Sequence, residues 1–110
     1  MQPRLKTGRL VQAGIRYCEG KLITAMLRRR GDGDAGALLV KVNRLDGSAA
    51  LFSRVTSLEG GTEWQRSSGE DWLPDVDIEQ RLESEIRFDP DIWIIEVENP
   101  GGENPFEELG

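Results

Sequence analysis

The stretch from Gly31 to Gly47, Gly-Asp-Gly-Asp-Ala-Gly-Ala-Leu-Leu-Val-Lys-Val-Asn-Arg-Leu-Asp-Gly, restricts the fold more than any other part of the chain. A Gly/Asp loop opens it and an Asp-Gly pair closes it, and neither end lets a helix run through. Between them Leu38, Val40 and Val42 alternate with Leu39, Lys41 and Asn43, the period of a strand over residues 37–44. A β-like run, residues 22–30, precedes the loop, and another, residues 48–55, follows the turn. The pattern predicts a three-strand meander, with Asp46-Gly47 as a two-residue type I′ hairpin turn.

Helices are expected on either side of this meander. Leu10, Ala13, Gly14, Tyr17 and Cys18 recur at i, i+3, i+4, i+7 and i+8, which predicts an amphipathic helix over 8–19 with Thr7 as N-cap. Gly14 within it costs about 1 kcal/mol against Ala, so a strand backbone or an aromatic ring is expected to approach there. Residues 56–72 read as a long loop with a short edge strand at 63–66. Pro74 to Asp77 opens a second helix lined by Ile78, Leu82 and Ile86, and Pro90 closes it. Residues 92–98 form the last strand, central in the sheet because both its faces begin apolar. The expectation is an α+β, two-layer domain over 1–98: a mainly antiparallel sheet of 4–5 strands, order α-β-β-β-(β)-α-β, with two helices on one face. Residues 99–110 are expected to be a flexible acidic tail unless Phe106 and Leu109 dock.

Composition removes most catalytic chemistry. The 110 residues contain no histidine and one cysteine, Cys18, so His-based nucleophile pairs, imidazole acid/base work, thiolate metal clusters and an internal disulfide are all excluded. Cys18 lies on the apolar stripe of the first helix and reads as a small buried hydrophobe. No apolar run approaches the roughly 20 residues a membrane helix needs, and the N-terminal residues lack a signal-peptide core, so the chain is expected to be cytoplasmic. The net charge of −6 is unevenly spread: residues 1–55 hold eleven Lys and Arg against four Asp and Glu, whereas residues 56–110 hold three against sixteen. Side-by-side packing of the two halves, each neutralising the other, accounts for this split.

Arg28-Arg-Arg-Gly31-Asp-Gly33 matches the loop with which GCN5-like acetyltransferases hold the coenzyme A pyrophosphate. Such a cradle needs a helix N-terminus after it, yet here a strand follows and Asp32 and Asp34 repel phosphate. The same acids begin like a calcium loop but lack its later ligands. Gly14 to Lys21 has the wrong spacing for a P-loop, and Pro90-Asp91 with Glu96 and Glu98 has the wrong final residue for a nuclease. Arg28, Arg29, Arg30, Asp32, Asp34, Lys41 and Arg44 remain as candidate ligand-binding residues for a nucleotide or coenzyme A type of anion. RNA binding is disfavoured because the aromatic residues Trp64, Trp72 and Trp93 all lie in the acidic half. Trp64 and Trp72 are the candidate partner surface, set against the alternative that they fold back on their own sheet.

Leu5-Lys-Thr7, Val11-Gln-Ala13, the Gly31 to Lys41 run with Asn43-Arg44, and Arg87-Phe-Asp-Pro-Asp-Ile-Trp-Ile-Ile-Glu96 together resemble the small alphaproteobacterial proteins grouped as domain of unknown function 1491. The likeness extends to about residue 98, with residues 56–74 outside it and Gly33 standing where the family pattern has proline. It implies a bacterial cytosolic protein and assigns no activity, so no catalytic or binding residue carries over. The expected function is a non-enzymatic binding or regulatory module without cofactor or metal, which binds a protein partner or itself as a homodimer. The alternatives are an anion binder, or an enzyme, using the loop 28–36, and an RNA binder using the basic half.

Overall fold

The computed structural model of the chain describes residues 6–33, 36–56, 59 and 61–109. Helix α1 spans Thr7–Gly20, strand β1 Thr24–Arg29, β2 Leu38–Asn43, β3 Ser48–Thr56, β4 Thr62–Arg66 and β5 Leu73–Pro74. Helix α2, Asp75–Phe88, leads into β6, Trp93–Glu98, and a short 3-10 helix, Pro105–Leu109, ends the description. All strands join one sheet in the order β1-β6-β2-β3-β4, with β5 paired to β3 beyond the end of β4.

The α+β class and the mainly antiparallel sheet are as the sequence leads one to expect, and β6 is an interior strand, second from the β1 edge. Its antiparallel neighbour is β1 and its parallel neighbour β2, so β1 and β2 do not form the first pair of a meander. Only β2 and β3 make the expected hairpin, and its turn is wider than a two-residue type I′ turn. Leu45 takes the left-handed φ of 64° and Gly47 one of 90°. The Asn43 and Asp46 side chains accept hydrogen bonds from the Leu45 and Ser48 amides, so two Asx turns in series replace the single tight turn.

The helices occupy opposite faces of the sheet, not one. Val40, Val42, Ile95 and Val97 pack with Leu10, Val11 and Cys18 of α1, whereas Leu39, Ala49, Leu51 and Ile94 pack with Ile78 and Leu82 of α2. A strand that is apolar on both sides needs cover on both sides, and β2 and β6 both are. Burial pushes the Cys18 thiol up, so it stays protonated at neutral pH.

Two glycines explain how the rest attaches. A Cβ on Gly14 would overlap the Phe106 ring, which is fully buried against α1, so the tail docks through Phe106 while Leu109 remains more exposed. Gly31 is pressed on the Asp91 carbonyl in the same way. Around it the Asp32 amide donates to the Asp91 carbonyl (3.0 Å), Trp93 Nε1 to the Asp32 carbonyl (2.6 Å) and Thr7 Oγ1 to the Gly36 carbonyl (2.7 Å). Thr7 thus lies inside α1 and ties it to the glycine loop instead of capping the helix.

Candidate functional site

The sheet topology sets three charge-bearing side chains beside one another on the α2 face. Lys41 of β2 is in register with Glu96 of β6, an opposite-charge pair across neighbouring strands. On the other side of β6, the bulge between Leu27 and Arg29 turns Arg28 toward the same carboxylate. Helix α2 then brings Asp75 and Glu79, one turn apart, down over them.

The result is a closed network. Lys41 is only 2% exposed, and its Nζ lies 2.6 Å from Asp75, 2.7 Å from Glu79 and 3.6 Å from Glu96. Arg28 grips Glu79 with two bonds of 2.7 Å and reaches Glu96 at 2.9 Å, while Asn43 Nδ2 donates to the other Glu96 oxygen at 3.1 Å. The Arg28 fork, and after it Lys41, hold Glu79 at about 2, well below an ordinary carboxylate. Burial pulls the Lys41 pKa down, but the hydrogen bonds that its ammonium donates to Asp75 and Glu79 outweigh it and the net direction is up. Such a carboxylate is a feeble base and such an ammonium a feeble nucleophile at neutral pH. Among the described residues no group of three or more His, Cys, Asp or Glu side chains is placed to hold a metal ion.

Of the residues singled out from the sequence, only Arg28 and Lys41 come together, and they meet carboxylates. Arg29 donates to the Pro90 carbonyl at 2.7 Å, and Arg30 lies over the Trp93 ring at 5.6 Å. Asp32 is held by its backbone between Asp91 and Trp93. Asp34 lies outside the described residues. Arg44 packs on Trp72 at 4.7 Å and pairs with Asp46 at 3.6 Å. The described cations therefore do not converge into one patch, and Gly31 and Gly36 of the loop allow a close approach to the Asp91 carbonyl just ahead of β6. Trp64 and Trp72 both turn inward: Trp64 meets Phe106 edge-on at 6.4 Å between ring centres, and Trp72 is covered by Arg44, Arg66 and Gly102.

Sequence reasoning missed two features. The first is the role of Glu96 and Glu79 as counter-ions; the lone inward lysine of an apolar strand was the signal that a carboxylate had to face it. The second is the outer side of β1. This strand has β6 on one side and no strand on the other among the described residues, and Met26 (41%) and Leu27 (45%) are exposed on its opposite faces.

A mixed sheet between two helices, stapled by an internal ion network, defines a small α+β domain. The chain belongs to the alphaproteobacterial family described as "Protein of unknown function (DUF1491)", which matches residues 5–107. It is similar to a DUF1491 family protein from Caulobacter crescentus CB15, known from crystal and NMR structures, with 36% identity over 94% of both chains and a TM-score of 0.80 to each. A protein from A. tumefaciens, solved in solution, is 27% identical over 88% of this chain and 87% of that one, with a TM-score of 0.71. No curated protein matches it.

Proposed function

We propose that this chain is a non-enzymatic, cytoplasmic binding module that recognises a second copy of itself by adding strand to strand along β1. The observation that carries this reading is the outer edge of β1, which pairs with no strand among the described residues. An unpaired row of backbone donors and acceptors is a template for another strand, and proteins that keep such an edge unoccupied blunt it with charge or proline. Here its apolar part is Ala25, Met26 and Leu27, and the side chains of Arg28 and Arg29 that follow are turned to Glu79, Glu96 and the Pro90 carbonyl. At its head Leu22 is 95% exposed and held at a left-handed φ of 61°, a conformation a branched residue adopts only at a cost. A two-fold axis through Leu27 would set that side chain beside its own copy, giving the self-complementary contact of a C2 dimer.

The saturation of Arg28 and Lys41 by Asp75, Glu79 and Glu96 supports this reading over anion or RNA binding, since it leaves those cations little positive surface to offer. No helix among the described residues is long and apolar enough to cross a membrane.

Sedimentation velocity from about 10 µM to about 1 mM tests the proposal. The expected result is a concentration-dependent dimer that the double substitution Met26→Lys, Leu27→Lys turns into a monomer of unchanged fold. A wild-type chain that stays monomeric at the top of that range, or a dimer indifferent to the two lysines, rules the β1 contact out.

A further inference from the structure

On the opposite side of the molecule from the ion network, the end of α1, the sheet and the docked tail enclose a half-open cavity of about 650 Å³. That size is within the range of small-molecule sites, on the order of 300–1,000 Å³. Its polar groups are not matched to one another. Arg66 is pinned by two rings, with its guanidinium 4.5 Å from the centre of Trp72 and 5.9 Å from that of Phe52. Its Nε and Nη2 are sealed from solvent without an acceptor, and among the described residues no carboxylate lies within ion-pair distance of it. Asn104, which is 5% exposed and lines the same cavity, spends its Oδ1 on the Phe106 amide and leaves its Nδ2 without a partner. Arg66 is half-buried and has no counter-ion among the described residues, so this end of the cavity offers an unpaired cation to an acceptor-rich anion. The tail puts the opposite charge on the same cavity: Glu103, Glu107 and Glu108 line it and make no ion pair among the described residues, and Lys21, set over the Tyr17 ring at 5.6 Å, adds a second cation to the lining.

We propose that this cavity is a binding site for a small zwitterion of the amino-acid or short-peptide class. Its carboxylate lies on the Arg66 and Asn104 side, its ammonium on the glutamates of the tail, and its apolar part against Phe52 and Ile23. The rings stacked on Arg66 hold the cation in place, so little side-chain freedom is lost when the carboxylate arrives. A simple carboxylate forfeits the glutamates and a simple amine forfeits Arg66, so the site selects molecules that carry both charges.

Titrations followed by two-dimensional ¹H–¹⁵N NMR on the full chain test this, with leucine and the dipeptide Gly-Leu as probes and acetate and ethylamine as controls. The zwitterions are expected to shift the amides of residues 102–104 and 106–108 and the Trp72 indole N–H, whereas acetate and ethylamine bind more weakly. Arg66→Met, which keeps the stacking bulk, is expected to weaken zwitterion binding by at least about tenfold, as loss of a charge-assisted bond does. The surface pair Glu107→Gln, Glu108→Gln, which removes no packed group, is expected to weaken it by roughly two- to fivefold with an unchanged spectrum of the free protein. The proposal is overturned if neither zwitterion shifts these resonances at tens of millimolar, if acetate binds as tightly as leucine, or if the glutamine pair leaves affinity unchanged.

Discussion

Replacing Gly14 by alanine pits two effects of opposite sign against each other. In an open helix the change stabilises by about 1 kcal/mol, because glycine gives up more backbone freedom. Here the new Cβ would overlap Cε2 and Cζ of Phe106 and stand 2.7 Å from Cδ2. The ring is fully buried, with Trp64 edge-on beside it, so it is not a loose side-chain end that swings aside. Overpacking of this kind costs about 1–3 kcal/mol, and outright expulsion of a buried Phe about 3–5 kcal/mol. With the helix gain subtracted, Gly14→Ala is expected to destabilise by about 2 kcal/mol, a fall in Tm of roughly 10 °C for a chain of this size. The double-mutant cycle with Phe106→Ala isolates the cause, since without the ring the same substitution should become stabilising by about 1 kcal/mol. Urea unfolding of the four proteins reads all the terms. If Gly14→Ala raises stability in the wild-type background, or has the same effect in both, the tail does not dock through this notch.

Lys41→Met leaves Glu79 and Glu96 with Arg28 as their remaining cation and removes the ion pair of Asp75. A loss of about 2–4 kcal/mol is expected in urea unfolding, below the full value for a deeply buried pair because Asp75 and Glu79 keep some solvent; a neutral result would mean that the network contributes no stability. The acid limb of stability is the third expectation. Glu79 falls from 4.5 to about 2 on folding, so its contribution is complete above pH 4.5 and disappears as pH drops through 2. Discounted for its one-third exposure, it is worth about 2 kcal/mol, and Glu79→Gln should flatten the fall in stability between pH 4.5 and 2. The Lys41 pKa is raised, so its share is complete below pH 10.5 and lost only above it.

Elements were legible where local physics alone decides them. The stripe from Leu10 to Cys18 and the alternation from Leu38 to Asn43 name α1 and β2, and Gly14 signalled a close approach by a strand backbone or a ring, which proves to be the Phe106 ring. What was illegible depended on contacts distant in sequence. Nothing within residues 22–44 says that β6 enters between β1 and β2, and nothing within 99–110 says that Phe106 finds Gly14. The two-sided arrangement of the helices was readable in principle. Leu39 behind Leu38 and Val40, and Ile94 behind Ile95, are apolar on both faces, which a two-layer domain leaves half uncovered. The wide turn after β2 was hidden because Asp46-Gly47 satisfies the rule for a tighter one, while Leu45, a poor residue for positive φ, takes the strained position.

The uneven charge along the chain follows from that same strand order. Arg28 of β1 and Lys41 of β2 both face α2, and as direct neighbours in a meander they would set two cations together under a helix. Insertion of β6 puts Glu96 between them, and the first turns of α2 add Asp75 and Glu79 from above. The basic first half therefore cannot close its own sheet favourably. It is completed by acids that arrive more than thirty residues later, which ties folding to long-range pairing and makes a slipped β6 costly, because a one-residue shift turns Glu96 to the apolar α1 face. A network saturated in this way has no vacancy for substrate. The outer side of β1, which pairs with no strand among the described residues, and the cavity beside the docked tail both lie outside that network.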